Sequence, residues 1–323
     1  MTTYLHKKFY LNLKKYIKNN QNYFILIAIS GGQDSLCLIK FIQDLTQEYG
    51  LFNSLHIEYI YIDHQWKKDS KKQIKHIINL IKARKQKISI YQLKNIPNSE
   101  IEARKLRYQV IIEHALKQKY SVIITAHTET DRVETFLQQI MRGTSIDGAT
   151  SLNYQRQLNN KINLFRPLIN FSRLEINWFC RKFCLPIWSD ITNYEYNITR
   201  NRLRYELIPY INQHFITNIE QKINTFLQIS DTENEYIKQN SIKLYLISRH
   251  KTNIAINYSL INTQHLALQA RVLQLFFYHN FNKSLNTNIL NQLLIETQTL
   301  SNCFTVIWQN LHIVMRNNWL YIY

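Results

Sequence analysis

The sequence predicts an α/β protein: a doubly wound parallel sheet, followed by a smaller, mainly helical domain that ends in a small antiparallel sheet. Three observations lead there. Short runs rich in β-branched residues recur through the first part of the chain at intervals of roughly thirty residues. The segments between them carry apolar residues at helical spacing. Near residue 211 this rhythm stops. The strand runs are YFILIAI (23–29), LHIEYIYI (55–62), ISIYQL (88–93) and SVIITA (121–126). Between the first two, Leu38, Phe41, Ile42 and Leu45 share one helix face, as do Ile74, Ile77, Ile78 and Ile81 before the third. The segment from Ile101 to Leu116 gives a third helix, with Asn98 or Ser99 as its cap. Strands alternating with helices bury a parallel sheet on both faces. Residues 1–210 form this first domain and 211–323 the second. In the second, 215–298 read as helices, and FTVIW, LHIVMR and WLYIY alternate around the breaks Gln309-Asn310 and Asn317-Asn318 as antiparallel strands.

Forty Lys and Arg against twenty-two Asp and Glu leave a net charge of +18, which points to a polyanionic partner, nucleic acid first. An A/T-rich genome also enriches Lys, and the two explanations are compatible. The four cysteines, Cys37, Cys180, Cys184 and Cys303, form no C-x-x-C pair and no zinc-site spacing, so free thiols in a reducing compartment are expected. No apolar run approaches the roughly 18 residues of a membrane span. The N-terminal segment lacks both a signal-peptide core and the Ser-rich character of a transit peptide. A soluble, unsecreted protein is expected, with the plastid stroma favoured and a bacterial cytoplasm as the alternative.

Only five glycines occur in 323 residues, yet Gly31 and Gly32 are adjacent, between the first strand and the first helix. A strand that turns through Ser-Gly-Gly into a helix aims backbone N–H groups and the positive helix end at one point, where a phosphate is held. Neither GxxxxGK[ST] nor GxGxxG is present. A purely structural turn is the alternative; Ser30, Asp34 and Ser35 around the pair favour phosphate.

SGGQDS (30–35) resembles the SGGxDS loop of the PP-loop ATP pyrophosphatases, a superfamily of the adenine-nucleotide-hydrolase-like fold that cleaves ATP between its α and β phosphates. Further segments are similar to the tRNA(Ile)-lysidine synthetase family: YIDH (61–64), EARKLRY (102–108), TAHTETDRVET (125–135), FRPL (165–168) and PIWSDITNYEYNITRNRLRYELIP (186–209). The resemblance implies that residues 1–210 bind ATP and adenylate a substrate, and that 211–323 bind tRNA. It implies activation of C2 of the wobble cytidine in tRNA(Ile) with anticodon CAU, attack by the amine of free lysine, and release of pyrophosphate and AMP. ATP and Mg²⁺ are the implied cofactors, and a homodimer is compatible with the chain. A PP-loop tRNA thiolase is the nearest alternative, although no cysteine is placed like a sulfur carrier. A tRNA-binding factor without catalysis is another.

Ser30, Gly31, Gly32, Gln33, Asp34 and Ser35 are then the nucleotide loop, with Asp63, His64 and His127 beside it at the carboxyl ends of strands. Asp34 is placed to hold Mg²⁺, which takes one or two carboxylates plus phosphate oxygens, or else simply to complement the helix dipole. His127, Asp131 and Glu134 fall on one face if a helix begins near 127. The incoming lysine, with a reference pKa of about 10.4, must lose a proton before attack. Asp131 is the first candidate to take it and Glu134 the second, or Glu134 merely pairs with an arginine. The family's second His and first Asp are here Thr128 and Thr130, so one carboxylate of its doublet is missing and Glu129 is the spare. Arg104 and Arg107 are candidates for phosphate, or else solvated helix charges. Arg200, Asn201, Arg202 and Arg204, interleaved with Asn193, Tyr194, Tyr196 and Tyr205, suit RNA phosphates and unpaired bases. The run Lys67, Lys68, Lys71, Lys72 and Lys75 is as compatible with a solvated face as with tRNA.

Overall fold

A computed structural model of the chain describes residues 2–16, 24–49, 56–65, 70–83, 85–93, 97, 99–187, 199–299 and 304–323. Asn98, Lys67, Lys68, Asn193, Tyr194, Tyr196 and Cys303 lie outside the described residues. The chain divides into two compact units, Met1–Leu227 and Gln228–Tyr323.

The first unit runs α1 (Tyr4–Tyr16), β1 (Phe24–Ile29), α2 (Gln33–Tyr49), β2 (His56–Asp63), α3 (Ser70–Lys82), β3 (Lys87–Gln92), α4 (Glu100–Lys117), β4 (Val122–Thr125) and α5 (Glu129–Met141). There follow α6 (Ile146–Ala149), β5 (Gln155–Gln157), β6 (Asn163–Phe165), α7 (Arg173–Lys182), α8 (Thr199–Arg202) and α9 (Ile208–His214). All four strand runs of the sequence are strands, and Ser99 caps α4 by accepting from the Glu102 N–H at 3.2 Å. Sheet order is β3-β2-β1-β4-β6-β5, parallel except for β5. Ile27 of β1 lies opposite Tyr59 of β2 and Ile124 of β4. The three-residue strands β5 and β6 carry too few apolar residues to show a period, which is why sequence spacing passes over them.

Period-2 alternation sorts the sheet onto two cores. Ile25, Ile27 and Ile29 of β1, Tyr59 and Tyr61 of β2, and Val122 and Ile124 of β4 pack with α1, α2, α3 and α7. Leu26, Ile60, Ile62 and Ile123 point the other way, onto Ile111 and Ala115 of α4. Phe41 of α2 is the hub of the first core, stacked on Phe9 (4.8 Å between centroids) and Phe179 (3.9 Å) with Phe171 edge-on at 5.6 Å. Glu58, buried near the start of β2, accepts from Ser89, Tyr120 and Lys87. This charged knot lies towards the amino ends of the strands, opposite the end where ligands bind in such sheets.

Helix α10 (Ile219–Ser248) carries the chain into the second unit, which adds β7 (Ala255–Asn257), α11 (Tyr258–Asn262), α12 (Leu266–Phe281), α13 (Thr287–Thr299), β8 (Phe304–Trp308), β9 (Leu311–Arg316) and β10 (Trp319–Ile322). The antiparallel sheet, order β7-β10-β9-β8, covers the core formed with Phe276, Phe277 and Leu293. Both of its tight turns have two residues at positive φ, Gln309-Asn310 (47° and 65°) and Asn317-Asn318 (47° and 67°). That is the backbone of the two-residue turn whose twist matches a hairpin.

Removing the hub should test the first core directly. Phe41→Ala is expected to cost about 3–5 kcal/mol, read as a lower denaturant midpoint with the slope of the transition retained.

Candidate active site

The sheet changes winding direction at β1: β2 lies on one side and β4 on the other, so a crevice opens between their carboxyl ends. The Ser-Gly-Gly turn leaves β1 at that point. Gly31 has φ +76°, and a Cβ there would sit 2.6 Å from Ile77 Cδ1 and 2.9 Å from Gln73 Nε2. Gly32 is different: its Cβ would meet only Ser30 Oγ, at 3.6 Å. The first glycine is required by packing, whereas the second keeps open a space that the protein itself does not fill. Ser35 closes the turn, its Oγ accepting from the Ser30 N–H at 3.0 Å and bonding the Ser30 hydroxyl at 2.9 Å. Gln33 faces α7 and donates to Asn177.

Across the crevice, α5 begins at Glu129, two residues past 127, because Thr128 caps it. The Thr128 N–H and hydroxyl donate to Asp131 Oδ2 at 2.8 and 3.1 Å. His127 therefore precedes the helix, its Nδ1 bonded to the Thr125 hydroxyl at 2.9 Å. Asp131 and Glu134 are met by two arginines. Arg200 donates from Nη2 to Asp131 Oδ1 at 2.7 Å and from Nε to Glu134 Oε2; Arg204 donates from Nε to Glu134 Oε1 and reaches Asp131 Oδ1 at 3.5 Å. Glu134 is fully buried. The two arginines share a face because they are four residues apart; α8 runs into α9 through a π-helical turn, Leu203–Leu207. Pro209 near the start of α9 has no N–H for the carbonyl four residues back, and the Ile208 N–H bonds Leu203 O instead.

These neighbours set the charges. Burial alone would raise Asp131, but Arg200, Arg204 and the Thr128 N–H outweigh it and hold the carboxyl at about 2. Asp34 shows the reverse: burial, and then repulsion from Asp131, raise it to about 7 despite Arg173 and Arg204. Burial also keeps His127 neutral, with Arg166, Arg104 and Arg200 opposing the pull of Asp131. Asp34 is thus an oxygen donor in the first turn of α2, beside a like charge. This donor set suits Mg²⁺ completed by phosphate oxygens. Among the described residues no group of three or more His, Cys, Asp and Glu is arranged to hold an ion by itself.

The remaining candidates divide. Asp63 and His64 end β2 at the crevice, where Asp63 accepts from the Gln65 N–H at 2.9 Å. Arg104 and Arg107 are half-buried on α4, Arg104 lying 5.5 Å from the centre of the Tyr108 ring. Asn201 is buried, and Arg202 is exposed and paired with Glu206 at 3.0 Å. Glu129 does not supply the missing carboxylate of the doublet: it accepts from Asn224 at 3.0 Å. Sequence reasoning did not single out Arg132 of the TAHTETDRVET segment, which is buried and donates to the same Asn224 at 2.7 Å. Cys37 and Cys180 are buried and Cys184 is exposed.

A parallel sheet with a glycine turn at its switch point and a carboxylate pair opposite defines a PP-loop ATP-binding protein, and a family model described as a PP-loop domain matches residues 5–211. The chain is 51% identical over 320 residues to a tRNA(Ile)-lysidine synthase, chloroplastic, of Gracilaria tenuistipitata var. liui, covering 99% of both chains. It is 32% identical to the tRNA(Ile)-lysidine synthase of Synechocystis sp., covering 90% of this chain and 88% of that one. Among solved structures, the U34-tRNA thiolase NcsA from Methanococcus maripaludis with its [4Fe-4S] cluster is similar in fold alone (TM-score 0.55, 11% identity, 69% of this chain and 78% of that chain). The chain belongs to the tRNA(Ile)-lysidine synthase family of PP-loop ligases.

The two glycines should separate by experiment. Gly31→Ala is expected to lower stability by about 1–2 kcal/mol through its left-handed backbone and close contacts. Gly32→Ala should leave the melting temperature nearly unchanged while weakening ATP binding, measured by equilibrium dialysis. A raised carboxyl pKa means that, between about pH 4 and pH 7, the folded state binds more protons than the unfolded one, so this group's contribution to stability falls as pH rises. Asp34→Asn should remove that slope, making the ligand-free variant the more stable protein at pH 8 and no more stable at pH 4 in paired thermal melts.

Proposed function

We propose that this protein uses ATP to join free lysine to C2 of the wobble cytidine in tRNA(Ile) with anticodon CAU, producing lysidine. The observation that carries the reading is the crevice itself, a phosphate loop facing Asp131 and Glu134, in a chain with full-length similarity to lysidine synthases.

Ser30, Gly31, Gly32 and Ser35 hold the pyrophosphate end of ATP, and Asp34 holds Mg²⁺ against it. The ion neutralises phosphate charge when bound. His127, kept neutral, lines the nucleotide. The cytidine C2 oxygen attacks the α-phosphorus and pyrophosphate leaves; the lysine amine then adds to C2 and AMP departs. Asp131 receives the lysine ammonium, but in the free protein its oxygens are taken by Thr128 and the arginines and, held at about 2, it is a weak base. When Arg200 and Arg204 turn towards RNA phosphate, burial is left to raise Asp131 and it becomes able to take the proton. Glu134, the more buried of the pair, holds the arginines in place until then. Residues 211–323 supply tRNA contacts beyond the anticodon, and the chloroplast relative favours the plastid stroma.

Thiolation has less support: Cys37 and Cys180 are buried side chains of α2 and α7, and the exposed Cys184 has no second cysteine at C-x-x-C spacing. Labelled lysine should enter a CAU tRNA(Ile) transcript in the presence of ATP, and tRNA(Met) should remain unlabelled. Pyrophosphate release that depends on tRNA without lysine incorporation would move the second substrate to sulfur. Binding of tRNA with no ATP consumption would leave a binding factor. Within the active protein, Arg200→Ala should lower lysine incorporation at least tenfold, with ATP binding retained.

A further inference from the structure

Arg166 is 2% exposed and the largest fully buried side chain of the molecule's described part. Its Nη1 donates to the Asn153 carbonyl at 2.6 Å, while its Nε is buried with no acceptor. No carboxylate pairs with it among the described residues. Its charged neighbours are instead two more arginines, Arg104 and Arg156, together with the hydroxyl of Tyr108. Arg104 lies over the face of that same Tyr108 ring, at 5.5 Å. Burial of an unpaired charge is costly, and here the nearest charges repel it. A guanidinium so placed has N–H capacity left for an anionic ligand.

Its position says where that ligand sits. Phe165 lies opposite Ile124 in parallel register, so Arg166 leaves β6 level with Thr125, two residues before His127. Arg166 therefore lies at the carboxyl end of the sheet, the end at which the glycine turn leaves β1. It lies two strands away from that turn, about 10 Å at the usual strand spacing. One phosphate cannot occupy both.

We propose that Arg166 and Arg104, with Arg156 at the rim, form a second phosphate site beside His127, distinct from the glycine turn. Planar guanidinium favours an oxyanion taken side-on through two N–H groups, and a phosphate matches that fork. The phosphate belongs either to the RNA backbone at the cytidine or to the nucleotide. Only this ownership rests on the proposed function; the site itself does not.

Binding measurements on the intact chain decide between the two sources. Arg166→Met, Arg166→Lys and Arg104→Gln would each be tested for ATP affinity without RNA and for tRNA affinity without ATP, the latter across a salt series. Arg166→Met should melt no lower than the parent protein, since it loses an unbalanced buried charge, and should lose at least tenfold in one of the two affinities. Loss on tRNA, with the slope of log K against log salt reduced by about 1, identifies an RNA phosphodiester. Loss on ATP identifies the nucleotide. Arg104→Gln should weaken the same ligand severalfold, and Arg166→Lys should fall between Met and the parent. Folded Arg166→Met protein with both affinities within twofold of the parent would overturn the site. If Arg166→Met does not fold, unchanged affinities in Arg104→Gln and Arg166→Lys overturn it equally. Failure of lysine incorporation in the parent protein would sink the proposed reaction without touching these results, because neither binding measurement needs turnover.

Discussion

The first unit is organised around one constraint: β1 is hydrogen-bonded along both edges and buried on both faces. A strand so enclosed has no freedom except at its end, where the chain must turn sharply into α2. The backbone N–H groups of that turn, the first turn of α2 and the open crevice between β2 and β4 then coincide without any dedicated element. Because the flanking strands are parallel, their carboxyl ends deliver Asp63, His64 and His127 to the same rim. The glycine pair lets a strand this confined leave the sheet and still present its backbone to a ligand.

Opposite that turn, charge is arranged unevenly. Asp131 and Glu134 are neutralised by Arg200 and Arg204, whereas Asp34, close enough to feel Asp131, has no such pair of arginines of its own. The two sides of the crevice are therefore in different states before anything binds, one closed by internal ion pairs and one short of a cation. Breaking a buried ion pair by removing one member is more costly than never having formed it. A polyanion that recruits the arginines must therefore offer them comparable bonds, which links the opening of the carboxylates to the arrival of a correctly placed phosphate.

Much of this was legible in the residues. The strands announced themselves through β-branched runs, and SGGQDS through its rarity in a chain with few glycines. The terminal hairpins followed from Asn at both breaks. Strands β5 and β6 did not, because three residues cannot show a period. Arg200, Arg202 and Arg204 look equivalent as charges, yet the four-residue spacing turns the first and third to carboxylates and leaves the second paired with Glu206 in solvent. Glu129 looked available and is not, since the cap at Thr128 fixes the rotation of α5 and turns that side chain to Asn224. Arg166 lies in the quoted FRPL segment, but its unbalanced burial depends on Arg104 and Tyr108 of a distant helix, a relation that no local pattern contains.

The turns of the small terminal sheet have a consequence for how this chain tolerates heat. Among the described residues, ten non-glycine residues adopt positive φ, against two glycines. Four of the ten form the two hairpin turns, where a left-handed backbone costs a side-chain-bearing residue up to about 1–2 kcal/mol, with Asn at the low end. Each such position is a small reserve of thermal margin that the protein leaves unused. The fold's melting point is therefore limited by its punctuation as well as by its core, and a glycine written into Asn310 or Asn318 would raise it without moving one packed side chain.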